Sequence, residues 1–184
     1  MTHATAVHVA ATASAPALLL RPWEERDIAP LIEVYRDPAM HRWTRIPVAN
    51  HEDAVRWLEL QSQGWATGDR LSFAVLEQDR LVANVVIKRN APTDPTDPSA
   101  DVGYWTAAAA RGHGIAPRAL EALTVWAFST FNDTDLDHLR LLHQIDNPAS
   151  CRVAEKTGYT YKETLLPYPP FPKPGHLHTR GRRG

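Results

Sequence analysis

One stretch constrains the fold of this chain more than any other. Residues 100–107, "ADVGYWTA", are rich in β-formers and nearly all apolar, which predicts a strand buried on both faces. "AAARGHG" follows. Ile115, Ala119, Leu123, Trp126 and Ala127 then recur at helical spacing and predict a helix over 115–131. "DHLRLLHQI", residues 137–145, reads as another strand. A crossover of this length makes the two strands parallel, with a right-handed connection.

The rest of the chain supplies hairpins on either side. "ALLLRPW" (17–23) predicts a first strand, and "ERDIAPLIEVYRD" a helix with Asp27 as its cap and Ile28, Leu31, Ile32 and Tyr35 on one face. "DPAMHRWTRIPV" contains two prolines and reads as a loop. A helix follows Asn50, with Ala54, Trp57 and Leu58 on one face and Gly64 as its stop. Strands over 71–77 and 81–89 are joined by a short turn, and the proline-rich residues 90–99 form a loop.

Downstream, "NPASCRVAEKTG" is a short helix with clear punctuation. Asn147 is its N-cap, Pro148 occupies its first position, and Gly158 ends it. "YTYKETLL" predicts a strand, and the proline-rich "PYPPFPKPG" leads to a short last strand, "HLHTR". The expected architecture is α+β: a mixed sheet, antiparallel except around a central parallel β-α-β unit, flanked by helices.

At 184 residues, the length suits a single domain, expected over 17–184. Residues 1–16 have neither a basic segment nor a long apolar run and read as a disordered leader. The apolar runs are too short to span a membrane, and a cytoplasmic protein, monomer or homodimer, is expected. The net charge is −1, so no general basic field attracts nucleic acid, and an anionic ligand has to be held locally. The single cysteine, Cys151, excludes an internal disulfide and a cysteine metal cluster. No base adjoins it in sequence, so it reads as inert.

The glycines of "ARGHGIAPRAL" lie at the carboxyl end of the first parallel strand, where open sheets place ligands. A helix N-terminus carries about +0.5 of an elementary charge and several unpaired N–H groups. Gly112 and Gly114 open the backbone to a bulky anion, and Arg111 and Arg118 add charge. The turn is not a P-loop, because the Gly-Lys-Ser/Thr ending is absent. It is not a Rossmann fingerprint, because Pro117 stands where the third glycine belongs. Taken alone, the turn is equally well a helix entry with glycines for geometry.

The residues around the turn add a family resemblance. "DVGYWTAAAARGHGIAPRALEALTVWAF" resembles the acetyl-coenzyme A binding segment of the GNAT N-acetyltransferases, whose Gln/Arg-x-x-Gly-x-Gly/Ala pattern is met by Arg111, Gly114 and Ala116. "NPASCRVAEKTGYTYKET" is similar to a second segment of the branch that includes the ribosomal-protein N-terminal acetyltransferases, and "LRPWEERDIAPLIEVYRDP" to its beginning. The resemblance covers roughly residues 18–166. It implies transfer of an acetyl group from acetyl-CoA to a primary amine on a protein N-terminus or a small molecule, with no membrane or nucleic-acid partner. A catalytically degenerate, coenzyme A-binding regulatory module is the alternative.

The resemblance also implies site roles. The pyrophosphate falls to Arg111, Gly112, His113, Gly114, Ile115 and Ala116. The pantetheine arm pairs with the backbone of the preceding strand at Tyr104, Trp105 and Thr106, and Asn147 binds it too. Ser150 is the candidate acid at the leaving thiol and Glu163 the candidate base at the amine; His143 and Asp101 are lesser candidates for the base. Trp43 is placed to line the acceptor pocket. His176 and His178 alternate on the last strand, but no third ligand lies near in sequence and the family's chemistry needs none, so no metal is expected.

Overall fold

The computed structural model describes residues 6–89, 98–134, 136–168 and 172–182. Eight strands form one sheet in the order β1-β2-β3-β4-β5-β6-β8-β7. They are β1 (Val7–Val9), β2 (Leu18–Pro22), β3 (Arg70–Glu77), β4 (Arg80–Lys88), β5 (Ser99–Thr106), β6 (His138–Gln144), β7 (Thr160–Leu165) and β8 (Gly175–Gly181). The helices are α1 (Ile28–Tyr35), α2 (Pro38–Trp43), α3 (His51–Thr67), α4 (Ile115–Thr130) and α5 (Pro148–Lys156). Among the described residues β5 and β6 are the one parallel pair, joined through α4, and every other pairing is antiparallel. The expected mixed sheet is therefore the one observed.

Alternation along the strands makes a core on each face. Leu71, Phe73 and Val75 of β3 join the cluster that holds Ile115, Ala119, Leu123 and Trp126 of α4. Ala74 and Leu76 point the other way, toward Leu31, Tyr35, Ala54 and Trp57. The β3–β4 hairpin closes through Gln78 (φ 48°) and Asp79 (φ 62°), the paired positive φ of a two-residue hairpin turn.

Several expectations are corrected. Residues 6–16 are not disordered: β1 pairs antiparallel with β2, and Arg118 donates to the carbonyls of Ala10 (3.0 Å) and Pro16 (2.7 Å). The expected loop after Tyr35 contains α2. Pro38 takes the first helical position, where its missing N–H costs nothing, and the Asp37 carboxylate accepts from the Ala39 N–H at 3.0 Å. Gly64 does not stop α3, which runs to Gly68 (φ 75°). Gly64 is there because a Cβ would come within 2.4 Å of the Arg70 carbonyl oxygen. Asp27 makes no cap bond to α1; it is buried in a two-pronged ion pair with Arg21 (2.7 and 2.8 Å) and also accepts from the Glu24 N–H. The expected loop at 90–99 lies mostly outside the described residues, although Ser99 begins β5.

Candidate active site

Strand β5 is only half-buried from Gly103 to Thr106, and its strand pairing locates the site. It pairs with β4 over residues 101–106, but with β6 only from Ser99 to Val102. Beyond Val102, strand β6 carries on against β8 alone, through Leu142, His143 and Gln144. The two parallel strands part, and one backbone edge of residues 103–106 has no strand beside it among the described residues. The gap opens into a cleft of about 440 Å³. Tyr104, Trp105 and Thr106 line it, with Arg111, Gly112, Gly114, Ile115 and Ala116 of the turn, Asn147 and Ser150 from α5, and Met40 and Trp43 from α2.

The glycine turn closes one end of the cleft. Gly112 (φ 80°) and Gly114 (φ 74°) both adopt the left-handed conformation, which side-chain-bearing residues rarely do. No atom lies within 4 Å of where either Cβ would be, so the backbone faces open space. Gly114 caps α4 without a side chain. The amides of Ile115 and Ala116 fall in the first turn, where no intrahelical acceptor exists. Pro117 has no N–H to orphan, and the Arg118 N–H returns to the Gly114 carbonyl at 3.3 Å.

The two arginines separate. Arg111 reaches along the cleft: its Nε donates to the Thr106 carbonyl at 3.2 Å and its guanidinium pairs with the Asp37 carboxylate. The Asp37 carboxyl is held below its ordinary range, chiefly by the Ala39 amide, with burial opposing and Arg111 reinforcing. Arg118 is turned to the N-terminal segment and adds no donor to the turn, correcting its expected role. His113 is exposed and does not line the cleft, although it shares the turn.

Ser150 is buried, and its hydroxyl lies 2.8 Å from that of Tyr104. Burial pushes the Tyr104 phenol up to about 12, with the Ser150 hydrogen bond opposing. The side chain of Tyr104, as well as its backbone, is thus part of the site. Trp105 does pack, with its ring 5.9 Å from Trp23 and 6.3 Å from Tyr35. Asn147 caps α5 through its Oδ1, which accepts from the Ser150 N–H at 3.3 Å, and its amide group is left for the cleft.

Glu163 is not brought to this site. It is exposed on β7 at the sheet edge, with β8 and β6 between it and β5. Asp101 is engaged by Arg140 at 2.8 Å. Residues that the sequence reading missed are Met40, whose helix was read as a loop, and Arg152 and Lys156, which line the cleft one turn apart on α5. Their i, i+4 spacing in "SCRVAEK" was the available signal.

The fold also overturns the reading of Cys151 as a thiol with no base near it, and of His176 and His178 as lacking a third ligand. His143 and His176 are direct partners in the β6–β8 ladder. Cys151 Sγ lies 3.3 Å from His143 Nε2, 3.4 Å from His176 Nδ1 and 3.8 Å from His178 Nε2. Burial holds the imidazoles of His143 and His178 below their ordinary value, and burial raises the Cys151 thiol.

Residues 17–160 match the family model of the acetyltransferase (GNAT) domain. The chain belongs to the GNAT acetyltransferase family. A curated relative, the ribosomal-protein-serine acetyltransferase of Escherichia coli (strain K12), is 28% identical over 122 residues, 64% of this chain and 63% of that protein. The match therefore spans somewhat less than two thirds of the relative's length. Among solved structures, a GNAT-family acetyltransferase from Bacillus anthracis superposes with a TM-score of 0.78 at 18% identity, over 96% of this chain and 99% of that one. The microcin C7 self-immunity acetyltransferase MccE, in complex with acetyl-CoA and AMP, gives 0.76 at 16% identity, over 89% and 92%. At such identities these structures speak to the GNAT fold alone. No helix among the described residues is long and apolar enough to cross a membrane.

Proposed function

We propose that this GNAT protein is an acetyl-CoA-dependent N-acetyltransferase whose acceptor is the α-amine of a protein N-terminus, acting in the cytoplasm. The observation that carries the reading is the unpaired edge of residues 103–106 leading straight to the open glycine turn. That is a strand-like dock continuous with an anion cradle, the two parts a pantetheine diphosphate ligand needs. The choice of acceptor is supported by the relative named for acetylating a ribosomal-protein serine and by the apolar Met40 and Trp43 at the cleft.

When bound, acetyl-CoA supplies the acetyl group as an activated thioester. The amides of Gly112 to Ala116 and the Arg111 guanidinium hold the diphosphate. A backbone N–H on the free edge of β5 polarises the acyl carbonyl in the manner of an oxyanion hole. The amine nitrogen attacks that carbon, the carbon–sulfur bond breaks, and the Ser150–Tyr104 hydroxyl pair delivers a proton to the departing sulfur. No carboxylate faces the cleft from Glu163, so the amine proton leaves through solvent. The test incubates the full chain with acetyl-CoA and peptides of varied N-terminal residue, measuring free thiol and peptide mass. Thiol release with a single added acetyl group on the α-amine is expected. Absence of release across peptide, polyamine and aminoglycoside acceptors defeats the reading.

A further inference from the structure

The geometry points to a zinc site, made by His143, Cys151, His176 and His178, that pins helix α5 to strands β6 and β8. The four come from three elements far apart in sequence. His143 stands on β6 directly opposite His176 of β8. His178 is two residues further along β8, so it shares the face of His176. Cys151 enters from the first turns of α5. One donor atom from each residue falls within 4.8 Å of all the others.

Four of the separations match the spacing around a tetrahedral metal. Tetrahedral zinc, with Zn–N of about 2.05 Å and Zn–S of about 2.3 Å, places nitrogen ligands about 3.3 Å apart and sulfur about 3.6 Å from each nitrogen. Here His143 Nε2 and His178 Nε2 are 3.2 Å apart, and the sulfur lies 3.3, 3.4 and 3.8 Å from three ring nitrogens. The outer contact of His143 agrees. His143 Nδ1 lies 2.8 Å from the Gln144 carbonyl, to which it donates, leaving the Nε2 lone pair aimed inward. The exposed Tyr161 stands edge-on to His176 and His178, with ring centres 5.4 and 5.9 Å away.

Three imidazoles and a thiolate complete a four-ligand set and leave no open position, the mark of a structural site rather than a catalytic one. Its place in the fold gives it a purpose. Strand β8 is inserted between β6 and β7 and pairs antiparallel with both. Helix α5 carries Ser150 into the acetyl-transfer cleft one residue before Cys151. A metal bound here fixes the helix that presents that hydroxyl, and it does so whether or not the proposed acceptor is right.

The test uses the full chain, stripped with a strong chelator and titrated with zinc against a chromophoric competitor, then with cobalt. One zinc per chain is expected. The cobalt form should show a thiolate-to-cobalt charge-transfer band and intense tetrahedral ligand-field bands. Cys151→Ser should abolish the charge-transfer band, and His176→Gln should weaken zinc binding at least about 100-fold. Thermal midpoints should rise with zinc in the wild type and not in Cys151→Ser. Wild-type protein that takes up no stoichiometric zinc, or whose cobalt form lacks the thiolate band, overturns the proposal in favour of a thiol–imidazole hydrogen-bond network. So does wild-type zinc affinity in both variants. If the variants fail to fold, the wild-type cobalt spectrum decides alone.

Discussion

The Tyr104 hydroxyl and the Ser150 hydroxyl lie 2.8 Å apart, one carried by β5 and the other by α5, and both residues line the cleft. The pair can pass a proton to a leaving thiolate, because either oxygen can donate to the other. Ser150→Ala removes the donor while leaving the cap, since Asn147 binds the backbone N–H of position 150. The expected result is a fall in kcat on the order of 100-fold, with the KM for acetyl-CoA changed less than about threefold. Steady-state kinetics by thiol detection measure it. A proportionate rise in KM with kcat intact would assign Ser150 to binding instead.

The open backbone at the glycine turn yields a second prediction. The double change Gly112→Asp, Gly114→Asp forces side chains onto two positive φ angles and places two carboxylates where a diphosphate has to approach. Neither Cβ meets protein atoms, so the fold tolerates the change better than the ligand does. Coenzyme A binding by calorimetry should be lost, with the far-UV circular dichroism retained. Unchanged affinity in a folded variant removes the cradle assignment.

Much of this arrangement was legible beforehand, and where it was not the cause is identifiable. The parallel unit was readable because helix 115–130 has a full apolar stripe and clear ends, and α5 because Asn147, Pro148 and Gly158 punctuate it. Helix α2 was hidden: Pro38 looks like a breaker, but at the first helical position it is a starter. Gly64 looked like a stop because its packing reason, the Arg70 carbonyl, lies on the next strand. Glu163 fitted a motif, yet its distance from the cleft depends on β8 entering between β6 and β7, which local pattern does not encode. The same insertion brings His176 and His178 to Cys151.

That insertion has a direct kinetic consequence. Glu163 is exposed, and two strands separate it from β5. Glu163→Gln should therefore leave kcat, KM and the pH–rate profile within about twofold of wild type, a surface substitution away from the chemistry. A tenfold loss of kcat together with a lost acidic limb in the profile would restore it as the base.

Arg111 gives a prediction about binding. Its guanidinium is paired with Asp37 and its Nε holds the Thr106 carbonyl, so it is already aligned along the cleft. Arg111→Gln removes a charge-assisted contact to the diphosphate, of about 1.5–3 kcal/mol, and should weaken coenzyme A binding roughly 10- to 100-fold. The wild-type dissociation constant should rise with salt more steeply than the variant's. Parallel salt dependences would show that Arg111 serves only to hold Asp37.

Tyr104 also predicts how stability responds to alkali. Its phenol is pushed from 10.0 up to about 12, mainly by burial, so the folded state holds the proton more tightly than the unfolded chain does. A raised folded value means the contribution is fully present below pH 10 and is lost as pH rises through 10 toward 12. Tyr104→Phe has no such proton to lose. Tyr159, whose phenol burial also raises, is common to both proteins and cancels in the comparison. The difference in unfolding free energy between wild type and Tyr104→Phe should therefore shift by about 1 kcal/mol between pH 10 and pH 11, against the wild type. Urea unfolding at pH 8, 9, 10 and 11 measures it. A constant difference across that range would mean that Tyr104 ionises as freely in the folded protein as in the unfolded chain, and that the Ser150 contact is solvated.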